Sequence, residues 1–219
     1  GGRDPQVGAV QWGVSWGNWI GSSSRLDGQE RYPVAWNLAS ITSVSGHAVR
    51  YRYENVEFAV GAAGGARYTQ ASYLREITDS VGRTVRFIYG EKYGARNPSP
   101  KGIVEYQDPH AQRPEPNAYQ ERYETRYLDQ VHVLSDDGQL LLGLTFTYDF
   151  INVASTVDPH YGLMWKRCLT SVFRWSPDGT AQPSLRFAYN GPQETNPGAL
   201  KSVTYPSGGV ATYTYKKSL

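Results

Sequence analysis

The sequence predicts an all-β fold, with repeated antiparallel β-hairpins side by side forming a twisted, curved sheet. Three observations predict it. A skeleton of Leu, then Ile or Val three residues on, then Gly, then an apolar–x–aromatic–x–Tyr ending occurs five times. Each ending alternates apolar and polar residues, the period of a strand with one buried face. Each Gly lies between two such arms, where a hairpin turn needs positive φ.

The elements follow in chain order. Residues 1–35 are rich in Gly, Ser and Trp, and Val10, Trp12 and Val14 alternate as a strand would. Trp12, Trp16 and Trp19 are candidate partner contacts, because an exposed indole can stack on a sugar ring. The competing reading has them cap the open end of the sheet. Residues 36–93 hold the first two copies. The first has Leu38, Ile41, Gly46, Val49, Tyr51 and Tyr53; the second has Leu74, Ile77, Gly82, Val85, Phe87 and Tyr89. A strand is predicted between them at 56–60. The glycine run at 61–65 lacks the Lys-Ser/Thr of a phosphate loop. Residues 94–126 form an irregular insertion broken by Pro98, Pro100, Pro109, Pro114 and Pro116, with a strand at 103–106 and a helix or strand entry at 118–127 as its regular candidates. Long loops in compact domains are often functional, so a partner-specific contact is expected there.

Residues 127–219 hold three further copies. Their skeletons are Leu128, Val131, Gly138, Leu144, Phe146 and Tyr148; Leu169, Val172, Gly179, Leu185, Phe187 and Tyr189; and Leu200, Val203, Gly208, Ala211, Tyr213 and Tyr215. Asp137-Gly138 and Asp178-Gly179 are strong turn signals. Spacing separates two classes. The first, second and fifth copies place Gly 8 and the last Tyr 15 residues after Leu; the third and fourth place them 10 and 20 after it. Lengthening both arms equally adds an even number of residues. The extra five therefore require a changed loop or a bulge.

Composition bounds the rest. The chain has 219 residues, 39% hydrophobic and 19% charged, enough for one large β domain or two small ones. Its 17 Tyr and six Trp suit wide, partly dry sheet faces. The net charge of +2, with scattered Arg, does not suggest a polyanion partner. No apolar run approaches the ~20 residues of a membrane helix. Cys168 is the only cysteine, so no internal disulfide forms. Its place beside Leu169 predicts a small buried side chain. The Gly1-Gly2-Arg3 start and the end at Leu219, soon after a strand, predict a piece of a longer polypeptide.

No constellation in the sequence makes an active site. His47, His110, His132 and His160 are far apart and lack metal-site spacing. Glu105, Asp108 and His110 are the one group able to hold a cation, against the simpler reading of a solvated loop. Asp136-Asp137 is turn chemistry. No catalytic residue, cofactor or metal is expected, and the chain is not expected to be an enzyme.

The repeat skeleton resembles the Rhs/YD-repeat family. The segments YLREITDSVGRTVRFIYGEK (73–92) and GALKSVTYPSGGVATYTYKK (198–217) look like its units. The segment AWNLASITSVSGHAVRYRYE (35–54) is similar to the region preceding the repeats in bacterial insecticidal toxin-complex B-type components. The resemblance covers about residues 35–217. It implies a long, spiralling antiparallel sheet that closes into a hollow shell around a toxic or unfolded polypeptide, with teneurins as eukaryotic relatives. Two departures stand out. Only Tyr148-Asp149 keeps the family's Tyr-Asp ending, and the run from Asp158 to Gly162 has one residue too many for its Asp-Pro-x-Gly cleavage element.

The expected function is structural: a wall segment of a toxin-type protein, with no catalysis of its own. Its expected partners are the remainder of a larger repeat polypeptide or toxin complex and an enclosed cargo, without nucleic acid or a membrane span. Secretion, or delivery by a bacterial secretion system, follows from the resemblance. The ring positions Tyr51, Tyr53, Phe87, Tyr89, Phe146, Tyr148, Phe187, Tyr189, Tyr213 and Tyr215 are expected to form aromatic ladders between adjacent hairpins. Two rivals remain at this point: an extracellular glycan- or receptor-binding β module, and a β-structured polysaccharide-acting enzyme.

Overall fold

Five glycine turns set the frame. Gly46, Gly82, Gly138, Gly179 and Gly208 all hold positive φ, from 81° to 93°. Each Gly N–H donates to the carbonyl three residues back: Ser43, Asp79, Ser135, Ser176 or Tyr205, at 2.9–3.2 Å. This is the three-residue hairpin loop closed by a left-handed residue, a place that favours glycine. Asp178 reinforces its turn by accepting the Thr180 N–H at 2.9 Å. That backbone bond holds the Asp178 carboxyl below its ordinary pKa.

The computed structural model describes residues 8–14, 31–59, 66–94, 96–106, 122–154 and 163–216. The chain is all-β. It divides into two compact units, one drawn from Gly1–Arg86, Asp108–Thr125 and Ser135–Gly138, the other from Phe87–Gln107, Arg126–Leu134 and Gln139–Leu219. In the first unit β1 (Val10–Val14) pairs antiparallel with β2 (Arg31–Trp36). It also contains β3 (Ser40–Thr42), β4 (Ala48–Ala59), β5 (Arg67–Asp79) and the start of β6 (Thr84–Glu91). Val14 and Tyr68 are buried there, with Phe58 and Ala66 packed against them. The second unit contains the rest of β6, then β7 (Arg126–Leu134), β8 (Leu140–Ala154), β9 (Leu163–Trp175), β10 (Leu185–Tyr189), β11 (Leu200–Thr204) and β12 (Val210–Thr212). Its buried side chains include Ile103, Tyr106, Val131, Leu134, Cys168 and Val203. Strands β3 to β12 are hydrogen-bonded in sequence order as a ten-stranded sheet. Among the described residues no helix is long and apolar enough to cross a membrane.

The five copies are the hairpins β3–β4, β5–β6, β7–β8, β9–β10 and β11–β12. Inside each, the β-branched residue faces the first apolar residue of the ending. The pairs are Ile41–Val49, Ile77–Val85, Val131–Leu144, Val172–Leu185 and Val203–Ala211. The register also resolves the two spacing classes. In the short copies the paired positions run without a shift. In the third copy Val133 faces Leu142 while Leu134 faces Leu140, so Leu141 is left over. In the fourth, Trp175 bridges Ala181 but Val172 faces Leu185, again one residue too many on the second arm. Two residues per arm plus one bulge make the extra five.

Three expectations about elements change. The predicted strand at 56–60 is the continuation of β4 beyond Tyr53. Residues 103–106 are not a strand. They form an extended tie, in which the Glu105 N–H donates to the Tyr93 carbonyl at 2.9 Å and the Val104 carbonyl accepts the Trp165 N–H at 2.8 Å. Two isolated bonds to different segments do not make a ladder. The described part of the Pro-rich insertion is also not simply a solvated loop, since Ile103 and Tyr106 are 8% and 7% exposed. In 118–127, Arg126 and Tyr127 open β7; the residues before 122 lie outside the described ones.

Candidate functional site

The skeleton poses a geometric problem. Leu and its β-branched partner are three apart, so on a plain strand they face opposite sides. Aromatic and Tyr in the ending are two apart and face the same side. The seams between copies show how the two spacings meet. Tyr51 faces Ile77 and Tyr53 faces Leu74; Phe146 faces Val172 and Tyr148 faces Leu169; Phe187 faces Val203 and Tyr189 faces Leu200. Each seam shifts register by one residue between these pairs. The residue left over is the one just after Leu: Arg75, Thr170 or Lys201. This bulge turns a spacing of three into an effective two. Leu and Ile or Val then meet the ending of the preceding copy together.

The same register corrects the aromatic ladders. The ring positions lie on β4, β6, β8 and β10 or directly follow β12, and these are alternate strands of the sheet. Strands are spaced about 4.8 Å apart, so successive ring positions stand about 10 Å apart with an aliphatic strand between them. The rungs are mixed: Tyr51–Ile77–Val85, Phe146–Val172–Leu185 and Phe187–Val203–Ala211. Aromatic rings pack on β-branched neighbours here, a favourable cross-strand combination.

Why the ending closes with Tyr rather than Phe is shown by its hydroxyl. Tyr53 donates to the Leu38 carbonyl at 3.0 Å, Tyr189 to Leu169 at 2.8 Å and Tyr215 to Leu200 at 2.8 Å. Tyr148 makes the same bond to the Leu128 carbonyl. In these four copies the final Tyr thus ties back to the first residue of its own copy. At Leu169 and Leu200 the accepting carbonyl lies beside the bulged residue, where the ladder is interrupted. Spacing alone could not reveal this, because the partner is a backbone atom 15 or 20 residues away.

Burial pushes the Tyr148 phenol up to about 12 from 10.0, with Arg167 opposing the shift and Asp129 adding to it. Burial also raises Tyr189 and Tyr53. All three remain donors through the neutral range. For Tyr148 the folded state keeps its proton where the unfolded chain has lost it. Its contribution is therefore complete below pH 10 and is lost as the pH rises toward 12. Unfolding midpoints measured from pH 9 to 12 should fall across that window. In Tyr148→Phe the fall should be shallower, with a loss of about 1 kcal/mol at pH 8 from the missing bond. An identical slope in the variant would sink the assignment.

One cluster in the second unit joins segments distant in sequence. Arg167 on β9 makes a bidentate pair with Glu105, Nε to Oε1 and Nη2 to Oε2, each at 2.7 Å. Their side chains are 11% and 2% exposed. The Tyr93 N–H adds a third bond to the carboxylate, 2.7 Å to Oε2. Four rings surround the guanidinium. Its carbon lies 3.7 Å from the centroid of Tyr127, 4.6 Å from Phe150, 5.5 Å from Tyr148 and 5.8 Å from Tyr93. A planar, weakly hydrated guanidinium suits such stacking. The Tyr127 ring in turn lies over Gly90, where any Cβ would collide with it. Charge, hydrogen bonds and rings are mutually satisfied, so the cluster acts as a strut that pins the 96–106 run. It offers no free donor set for a ligand.

This assigns Glu105 a partner that sequence reasoning missed. Glu105 is committed to Arg167, while Asp108 and His110 lie outside the described residues. Among the described residues no three His, Cys, Asp or Glu side chains group as a metal site. Trp12 lies in β1, its backbone N–H donating to Thr69 Oγ1 at 2.9 Å and its ring covered by the Arg31 guanidinium at 4.8 Å. Trp16 and Trp19 lie outside the described residues. Cys168 is buried, and burial raises its thiol pKa.

No protein-family model and no curated protein matches the sequence. Among solved structures the chain is similar to the Photorhabdus luminescens Tc holotoxin pore, at 13% identity and TM-score 0.38, over 86% of this chain and 10% of that one. The chain thus spans about a tenth of that neighbour's length. It is also similar to a porin-like protein from Bacteroides uniformis, at 13% identity and TM-score 0.24, over 80% of this chain and 70% of that one. TM-scores this low assign no function.

Proposed function

We propose that this chain is a structural wall segment of an Rhs/YD-repeat toxin-type protein, which encloses or presents a toxic or unfolded polypeptide and has no catalysis of its own. The observation that carries the reading is the repeated seam. The same register and the same bulge join short to short, long to long and long to short copies. The repeated positions are spent on turns, rungs and Tyr–Leu bonds: the turns and Tyr–Leu bonds close each hairpin, and the rungs join it to the next. Polar groups that could do chemistry are used internally, as at Glu105 and Arg167. A wall of this kind extends by repetition, without a new core for each copy. Secretion, or delivery by a bacterial secretion system, belongs to the same reading.

Protease protection of the full polypeptide carrying this chain tests it. A segment outside the repeats should survive trypsin while the sheet is folded and be cut once mild denaturant opens it. Equal digestion in both states would overturn enclosure.

One observation favours binding to an external partner. Trp36, on β2, is 71% exposed, with Tyr32 and Val34 also exposed on the same strand. Its fluorescence should shift on titration with a glycan if that reading holds; no response across a glycan panel removes it.

A further inference from the structure

The edge beyond β12 presents half of a seam. In the three seams described, the aromatic and final Tyr of one copy face Ile or Val and Leu of the next. Tyr51, Tyr53, Phe146, Tyr148, Phe187 and Tyr189 are half-buried there. The corresponding Tyr213 and Tyr215 are each 44% exposed, and Val210 is 62% exposed. Strands β4, β6, β8 and β10 run through or to their final Tyr, whereas β12 ends at Thr212, before both tyrosines. Yet Tyr215 already makes its bond to Leu200, and the Tyr213 N–H donates to the Lys201 carbonyl at 2.9 Å. The ending is therefore set in place without the strand that elsewhere covers it.

We propose that this edge accepts an antiparallel strand of pattern Leu-x-x-Ile/Val, with Leu opposite Tyr215, the β-branched residue opposite Tyr213 and the residue after Leu bulged out. The three described seams share this register, and the edge continues them. The proposal specifies the partner within the wall reading and rests on it only for the partner's class. Recognition lies in the bulge: without it, Leu and Ile or Val project to opposite faces and one of the two tyrosines loses its neighbour. Any flat strand could satisfy the backbone edge; a strand with the spacing of three fits both side chains when it bulges after Leu. Leu38 and Ile41 of a second copy carry the same pattern and are 51% exposed each.

The test uses the whole chain and two synthetic peptides, SYLREITD, copied from residues 72–79, and SYLREEITD, in which one more residue between Leu and Ile makes a spacing that a single bulge cannot reduce to two. Binding is read as slowed hydrogen exchange at the amides of residues 210–216. SYLREITD is expected to slow exchange and SYLREEITD, whose Leu and Ile cannot meet both tyrosines, to bind at least about tenfold more weakly, a difference of about 1.4 kcal/mol. Tyr213→Ala should abolish the difference between them. If the chain self-associates, Leu38→Ala with Ile41→Ala should dissociate it and leave peptide binding intact. Equal binding of both peptides would make the edge an unspecific strand acceptor and overturn the proposal. So would no protection at ~1 mM SYLREITD, a concentration at which even a weak specific site fills appreciably. Peptide docking without cargo protection would leave this proposal standing and remove enclosure; protection without docking would do the reverse.

Discussion

Arg167→Met is expected to be the most damaging single substitution, lowering stability by about 3–5 kcal/mol. The loss of attraction is the smaller part of the reason. Glu105 is 2% exposed and keeps only the Tyr93 N–H once the guanidinium is gone. A buried carboxylate left without its partner is strongly destabilising. Tyr127 also loses the cation on its face and is left covering Gly90. The double variant Arg167→Met with Glu105→Met should recover most of the loss, because a buried pair replaced by apolar residues is often neutral. Urea unfolding of the wild type, both single variants and the double variant closes the cycle. A loss below about 1 kcal/mol for Arg167→Met would show that the pair is hydrated after all. Amides of residues 96–106 should exchange faster in the single variant, since the pair is their tether to β9.

Gly143→Val is expected to cost about 1–3 kcal/mol by overpacking, with about 1 kcal/mol more if a hydrogen bond goes with it. Gly143 faces Trp175 across the β8–β9 pair, and the indole folds over the space that a side chain would fill. The indole N–H donates to Thr145 Oγ1 at 3.1 Å, and His132 meets the ring edge-on at 5.6 Å. A valine forces the indole out and breaks both contacts. The unfolding midpoint should fall and the near-ultraviolet circular dichroism of the folded state should change. If neither moves, the ring is not held as described.

The hairpins were legible because their determinants are local. A glycine at positive φ and an alternating arm can be read within about twenty residues, and the parity of the longer copies required a changed loop or a bulge, of which their second arms hold the bulge. The seams were only half legible. The spacing of three between Leu and Ile or Val was visible, but that it implies a bulge depends on the opposing strand. The aromatic ladders failed for a related reason: rings recurring once per hairpin recur on every second strand. Arg167 carried no signal at all, because its value comes from Glu105, 62 residues earlier, and from rings on other segments. Glu105 was noticed only for its charged sequence neighbours, although its partner lies across the fold.

The register shift of each described seam sits at the Leu and Tyr end of the hairpin, while plain pairing continues toward the turn, as at Val49–Asp79 and Gly143–Trp175. Arms of either length leave the stitching unaltered, so hairpin length is a free parameter while hairpin order is not. A repeat can be lengthened by whole pairs of residues, or by pairs plus one bulge, with the same bulged register after Leu. Local height along such a fabric can then be tailored one hairpin at a time, like the pile of a carpet over a fixed backing.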